Sequence, residues 1–223
     1  MRISRFTTSI PLLLFCGAGL LAQDLSSSGW RMWPDTNASW KSDTLYLPSQ
    51  VVLASLPVNP PTGGWAALNN SLGIPVTLPS SVEQYYWAAF RGGVTDGNYQ
   101  GVSWWWRTFT TPTLQPGQRL IIKFRAARLR TEVYCNQKLC GYNLINEVPF
   151  EADVTSAVAQ GATTNQLAVR ITSPGGDLAW GDWGSISWGA SEVPNSRGIC
   201  GLDASIILQV RDAVCVSDFA VLR

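Results

Sequence analysis

Hydrophobic and polar residues alternate along much of this chain with a period of two, the signature of half-buried strands. The cleanest case is residues 118–125, where Leu120, Ile122 and Phe124 fall on one side and Ile121, Lys123 and Arg125 on the other. Residues 165–172 repeat it, with Leu167, Val169 and Ile171 sharing a face. The densest run is 99–112, Tyr-Gln-Gly-Val-Ser-Trp-Trp-Trp-Arg-Thr-Phe-Thr-Thr-Pro, an aromatic and β-branched stretch entered through Gly101 and closed by Pro112. Alternation puts Ser103, Trp105, Arg107 and Phe109 on one side and Val102, Trp104, Trp106 and Thr108 on the other. Indoles then need cover on both faces, so this strand must be central in its sheet.

Further strands are predicted at 29–40, as one or two short pieces in 45–56, at 131–135 and 138–142 about an Asn136-Gln137 turn, and at 149–155, 205–210 and 214–222. Residues 57–64 are a Pro/Gly turn region. Trp65, 74–78 and 87–90 are hydrophobic islands in loops, expected to fold over the core as a lid. Residues 156–161 allow one helical turn at most, and no other stretch of the mature chain makes a convincing amphipathic helix. The prediction is an all-β antiparallel sandwich. Residues 1–22 are different: Arg2 and Arg5, an apolar middle interrupted by Pro11 and glycines, then small residues up to Ala22. This is the layout of a signal peptide cut after Ala22, and its apolar run falls short of the roughly 20 residues of a membrane span. A secreted or periplasmic protein is expected. Phe15 before Cys16 is a poor lipidation site, since that chemistry prefers a small residue there.

Composition narrows the chemistry. At 223 residues with 14% charged and 46% hydrophobic, the chain is an ordinary globular one, with eleven Trp and a net charge of only +1. Nothing steers it to nucleic acid or to a membrane surface once the leader is gone. With His 0, Ser-His-Asp and Cys-His schemes and His-containing metal sites are excluded, and no paired Cys-x-x-Cys spacing offers a Cys-only zinc site. No metal or cofactor is expected. Cys135, Cys140, Cys200 and Cys215 remain beyond the leader, equally compatible with disulfides and with buried free thiols. On a two-residue turn Cys135 opposes Lys138 and Cys140 opposes Val133, a diagonal arrangement poor for a bridge.

Gly-x-x-Trp-(aromatic)-x-Arg-x-Phe-x-x-Pro at 101–112 resembles the strand that marks the N-terminal sugar-binding domain of glycoside hydrolase family 2, the family of β-galactosidases, β-glucuronidases and β-mannosidases. Further segments are similar to that domain in the same order: Gln118-Arg119-Leu120-Ile121-Ile122-Lys123-Phe124, the hairpin at 132–141 with Gln137 in place of the usual turn Gly, Pro149-Phe150-Glu151-Ala152-Asp153-Val154-Thr155, Asn165-Gln166-Leu167-Ala168-Val169-Arg170, and Arg197-Gly198-Ile199. The pattern departs at Trp106, where the family often has a basic residue, and at Cys200, where an aromatic is common. The resemblance implies a jelly-roll β-sandwich of the galactose-binding type over residues 23–210. It makes 211–223 the last strand and the seam to an immunoglobulin-like domain, which in the family is followed by the catalytic barrel. Such a barrel typically needs about 250 residues by itself, so both further domains are expected to be absent from this chain.

A retaining glycosidase uses two carboxylates about 5 to 5.5 Å apart. Asp177, Asp182, Glu192 and Asp203 fall in or beside one loop region, but the sequence does not pair any two, and no catalytic residue is assigned. Sugar binding is the better expectation, because indole faces pack on the C–H faces of sugars while neighbouring polar groups hold the hydroxyls. Trp180, Asp182, Trp183, Trp188, Glu192 and Arg197 form the main candidate set, with Asn146 and Glu147 at the hairpin exit as a second. Two functions stand side by side: recognition of a β-glycoside within a secreted family 2 glycosidase, and a structural module whose indoles pack on neighbouring domains and bind no sugar. On either, residues 173–197 are expected to be dispensable for folding.

Overall fold

The computed structural model describes residues 22–85, 99–145, 148–161, 163–175, 185–194 and 200–215. In chain order the strands are β1 (Ala22–Asp24), β2 (Trp30–Asp35), β3 (Ile74–Val76), β4 (Ser80–Ser81), β5 (Gln100–Thr110), β6 (Arg119–Phe124) and β7 (Arg130–Cys135). They continue as β8 (Lys138–Asn143), β9 (Phe150–Asp153), β10 (Thr164–Pro174), β11 (Ser185–Trp188), β12 (Ser191–Pro194), β13 (Gly201–Leu202) and β14 (Ile206–Arg211). A six-stranded sheet ordered β3-β2-β5-β10-β7-β8 faces a four-stranded sheet ordered β1-β14-β6-β9, and all their pairings are antiparallel. The chain changes sheet between β5 and β6, β6 and β7, β8 and β9, and β9 and β10. The result is an all-β sandwich sewn together by crossings, as the alternating pattern requires.

The run of tryptophans lies on β5, between β2 and β10. Trp105 and Phe109 turn inward and join Leu120, Ile122 and Phe124 of β6, Leu167, Val169 and Ile171 of β10, and Ile206 and Leu208 of β14 in the core between the sheets. Val102, Trp104 and Trp106 turn outward and enter a second core with Tyr134, Leu139, Ala168, Trp40, Leu56, Leu68 and Trp188. The polar-looking region between β2 and β3 supplies most of this outer layer. Trp65 stands edge-on to Tyr134 at 4.9 Å and to Trp104 at 5.7 Å. Trp104 and Trp105 are both fully buried although they point in opposite directions. Each stabilises the fold by about 3 kcal/mol through removal of its ring from water.

A charged network fastens the outer layer to the sheet. Arg130 of β7 and Arg170 of β10 flank Glu132, which pairs with both. Asp43, from the covering loop, reaches Arg130 Nη1 at 2.5 Å and Arg170 Nη1 at 3.6 Å. Arg170 Nη2 donates to Ser39 O at 3.2 Å, Asn59 Nδ2 donates to Glu132 Oε1 at 2.8 Å, and Tyr134 Oη donates to Glu132 Oε2 at 3.2 Å. Two guanidiniums and two carboxylates therefore balance in a nearly dry place, with Ser39, Asn59 and Tyr134 adding hydrogen bonds, although the buried Arg130 Nε has no partner among the described residues. Burying such charges costs several kcal/mol unless every partner is present, which ties the loop's position to the sheet.

Several local expectations need correction. Residues 45–56 contain no strand; Pro48–Gln50 and Leu53–Ser55 are 3-10 turns, because Pro48 and the small residues around them favour turns over a ladder. Residues 74–76 are the edge strand β3, not loop. Ala22–Asp24, where no strand was expected, forms β1 against β14. Residues 213–215 are outside any strand and Val214 is 92% exposed, while the rest of the expected last strand lies outside the described residues. In the β7–β8 hairpin Cys135 does oppose Lys138, but a bulge makes Gly141 the partner of Val133. Cys135, Cys140, Cys200 and Cys215 are free thiols, and burial pushes Cys135 up to about 12.

Candidate functional site

At one end of the sandwich β5 begins opposite the end of β10, and β13 pairs with β4. The described groups there form a compact polar cluster. Glu83 is buried and accepts a hydrogen bond from Cys200 N at 2.9 Å. Burial pushes its carboxyl above the usual value, while backbone N–H donors and the nearby Arg128 pull the other way. Cys200 is fully buried, and burial together with the Glu83 charge raises its thiol far above the range of a reactive cysteine. Ser103 Oγ accepts the Trp105 indole N–H at 3.0 Å and donates toward Ile171 O at 3.4 Å, with the Cys200 sulfur 4.0 Å away. These groups hold β5, β10 and β13 together; they are spent on one another.

Of the sequence-derived set, Trp180, Asp182, Trp183, Arg197, Asn146 and Glu147 lie outside the described residues. Trp188 and Glu192 are placed, and they point in different directions. Both lie on a two-stranded ribbon of β11 and β12, turned at Gly189-Ala190. Trp188 is fully buried, edge-on to Trp40 at 4.9 Å, with the Arg130 guanidinium 6.0 Å from its ring. This corrects the expectation that the indoles of 173–197 stand apart from the core: Trp188 belongs to it. The ribbon seats there because Gly189, at φ +59°, passes so close to Asp43 that a Cβ would lie 2.5 Å from its carbonyl oxygen. Glu192 is exposed and accepts from Ser185 Oγ at 2.9 Å and Ser187 Oγ at 3.1 Å. A signal for this ribbon was present in Ser-Ile-Ser-Trp-Gly-Ala-Ser-Glu-Val-Pro, alternating residues on either side of a Gly turn.

The fold matches a domain of known glycosidases. A glycosyl hydrolase family 2 member from Bacteroides cellulosilyticus superposes with a TM-score of 0.53 at 14% identity, over 86% of this chain and 21% of that one. The β-D-glucuronidase of Dictyoglomus thermophilum gives 0.55 at 17% identity, over 91% and 30%. The β-glucuronidase of Bifidobacterium dentium, solved with coumarin-3-O-glucuronide, gives 0.53 at 22%, over 86% and 30%. The chain thus spans less than a third of the length of these enzymes. No protein-family model and no curated protein matches the sequence. At these identities the likeness establishes the sandwich fold.

Proposed function

We propose that this chain is the N-terminal carbohydrate-recognition domain of a secreted glycoside hydrolase of family 2, and that cleavage of the β-glycosidic bond belongs to a barrel outside it. The observation that carries this reading is coverage: nearly the whole chain superposes on about a fifth to a third of such enzymes. The ordered series of sequence resemblances, from 101–112 through 197–199, supports it independently. In this reading Trp180, Asp182, Trp183, Glu192 and Arg197 supply indole faces and polar contacts to the sugar, and the buried Trp188 anchors the ribbon that carries Glu192. Residues 1–22 direct export and are removed. Titrating the mature chain with galactosides, glucuronides and mannosides while following Trp emission tests binding, and a flat response from a folded sample defeats it. Edman sequencing of exported protein tests the leader, with Gln23 as the expected first residue.

One observation favours the scaffold reading. Leu47, Val52 and Val58 are exposed apolar side chains on the covering loop, and exposed apolar surface of this kind marks docking faces. A chain that ignores all three sugar classes yet binds the separately expressed remainder of such an enzyme would establish it.

A further inference from the structure

The pattern Asn-x-Ser/Thr, with x other than Pro, occurs at Asn37-Ala38-Ser39 and at Asn69-Asn70-Ser71. It is the acceptor pattern of N-linked glycosylation, and in an exported protein it belongs on the surface. Three residues recur by chance, so placement decides which copy can be used. Here the two copies are placed differently.

Asn37 reaches the surface through the way β2 ends. Asp35 closes that strand opposite Val102 and is buried, its Oδ2 accepting from Thr62 N at 2.9 Å. The chain then turns, with Thr36 N donating to Pro34 O at 3.1 Å and Ala38 N to Asp35 O at 3.2 Å. Ala38 packs against the outer core, and Asn37 and Ser39 on either side of it are exposed. The amide and the hydroxyl of the acceptor pattern are thus both presented to solvent. Backbone and neighbours hold the segment: Ser39 O accepts from Arg170 Nη2 at 3.2 Å, and Trp40 is buried edge-on to Trp188 at 4.9 Å. The Asn37 and Ser39 side chains make no hydrogen bond among the described residues, so a large polar substituent on Asn37 Nδ2 displaces no contact. Asn69 is also exposed, but its amide is taken up locally. Its Nδ2 donates to Ala66 O at 2.8 Å and its Oδ1 accepts from Ser71 N at 2.8 Å, closing its own turn.

We propose that Asn37 carries an N-linked oligosaccharide, transferred from a lipid-linked oligosaccharide pyrophosphate in the secretory compartment. Asn37 Nδ2 bonds to C1 of the first sugar and loses one proton. The bond from that C1 to the pyrophosphate oxygen breaks, and the lipid pyrophosphate leaves with the electron pair. The proposal rests on the export read from residues 1–22, and the experiment separates the two. The full chain is expressed in cultured mammalian cells in two forms, one with its own residues 1–22 and one with the leader of an abundantly secreted protein in their place. Both carry Asn69→Gln, so that only the Asn37 pattern remains. Peptide mass mapping before and after peptide-N-glycosidase is read on protein from the medium and from the cell lumen. Under the borrowed leader, Asn37 should carry a glycan that the glycosidase removes from the folded protein, converting the amide to a carboxylate. Ser39→Ala should abolish the modification and Ser39→Thr should keep it. Asn37→Gln should melt within about 2 °C of the unsubstituted chain from which the glycan has been removed, since the side chain holds nothing in the fold. A glycan under the borrowed leader but none under the native one supports the site and defeats the export reading alone. An unmodified Asn37 under the borrowed leader, a glycan that persists in Ser39→Ala, or release only after unfolding overturns the proposal.

Discussion

Removing the Trp188 indole would open a void between Trp40 and the Arg130 guanidinium, with the β11–β12 ribbon and the covering loop as its walls. Trp188→Ala is expected to cost about 3–5 kcal/mol, a large share of a domain's stability, whereas Trp180→Ala and Trp183→Ala together are expected to leave the denaturation midpoint nearly unchanged. A Trp188→Ala midpoint equal to wild type would mean the ring is not needed where it is placed. Glu83 offers a test by pH. Because burial raises its pKa from 4.5, the folded domain holds that proton more tightly than the unfolded chain. Its contribution to stability is therefore complete below the unfolded pKa and is lost as the pH rises through the folded one. Glu83→Gln keeps an acceptor for the Cys200 amide and cannot ionise. Relative to wild type, the variant should gain stability as the pH is raised from about 4 toward neutrality, read from urea melts at each pH. A pH-independent difference would show that Glu83 ionises as readily in the fold as in water.

Among the elements, the β7–β8 hairpin carries a cost that sequence exposes. Asn136 and Gln137 both have positive φ, 47° and 72°, as a tight turn between right-twisted strands demands, and Gln is poorly suited to that region. Gln137→Gly should stabilise the domain by about 0.5–1 kcal/mol in thermal or chemical melts, and a loss of stability would contradict the turn geometry. The covering loop is held differently, through Asp43. Asp43→Ala leaves Arg130 and Arg170 with Glu132 alone, a buried excess of positive charge expected to cost about 3 kcal/mol and to speed hydrogen exchange across residues 36–68 before the sandwich opens. Exchange that accelerates uniformly would mean loop and sheet open as one unit. These two elements also mark where sequence is informative. Strands β5, β6, β7, β8 and β10 were legible because alternation is a local property, and the two-faced burial of β5 followed from three adjacent indoles. That Trp65 covers the core was legible, but the path of the covering loop was not, since its order comes from long-range partners: Asp43 with Arg130, Asn59 with Glu132, Trp40 with Trp188. Trp188 was misread for the same reason, because composition names an aromatic residue but not what lies above it.

At the scale of the whole molecule, one chain supplies a sandwich and the extra layer that seals its larger sheet. Several described carboxylates are committed to the fold, among them Glu83 to the Cys200 amide, Glu132 to two arginines, Glu151 to Arg211 and Asp153 to Arg119. The mature chain by itself is accordingly expected not to hydrolyse aryl β-glycosides. Turnover that survives repurification and vanishes on Asp182→Asn or Glu192→Gln would show otherwise. The way the two ends of the sandwich are joined has a mechanical side. β1 and β14 run antiparallel with Ala22 opposite Gln209, so the start of one strand and the finish of the other emerge at the same end of a ladder only three residue pairs long. Tension applied between residue 23, the expected start of the mature chain, and residue 211 would therefore load the remaining pairs one after another, as a zipper, instead of shearing them together. β1 should peel away at low force and lengthen the tether, acting as a compliant strap while the crossings between the sheets are still unloaded.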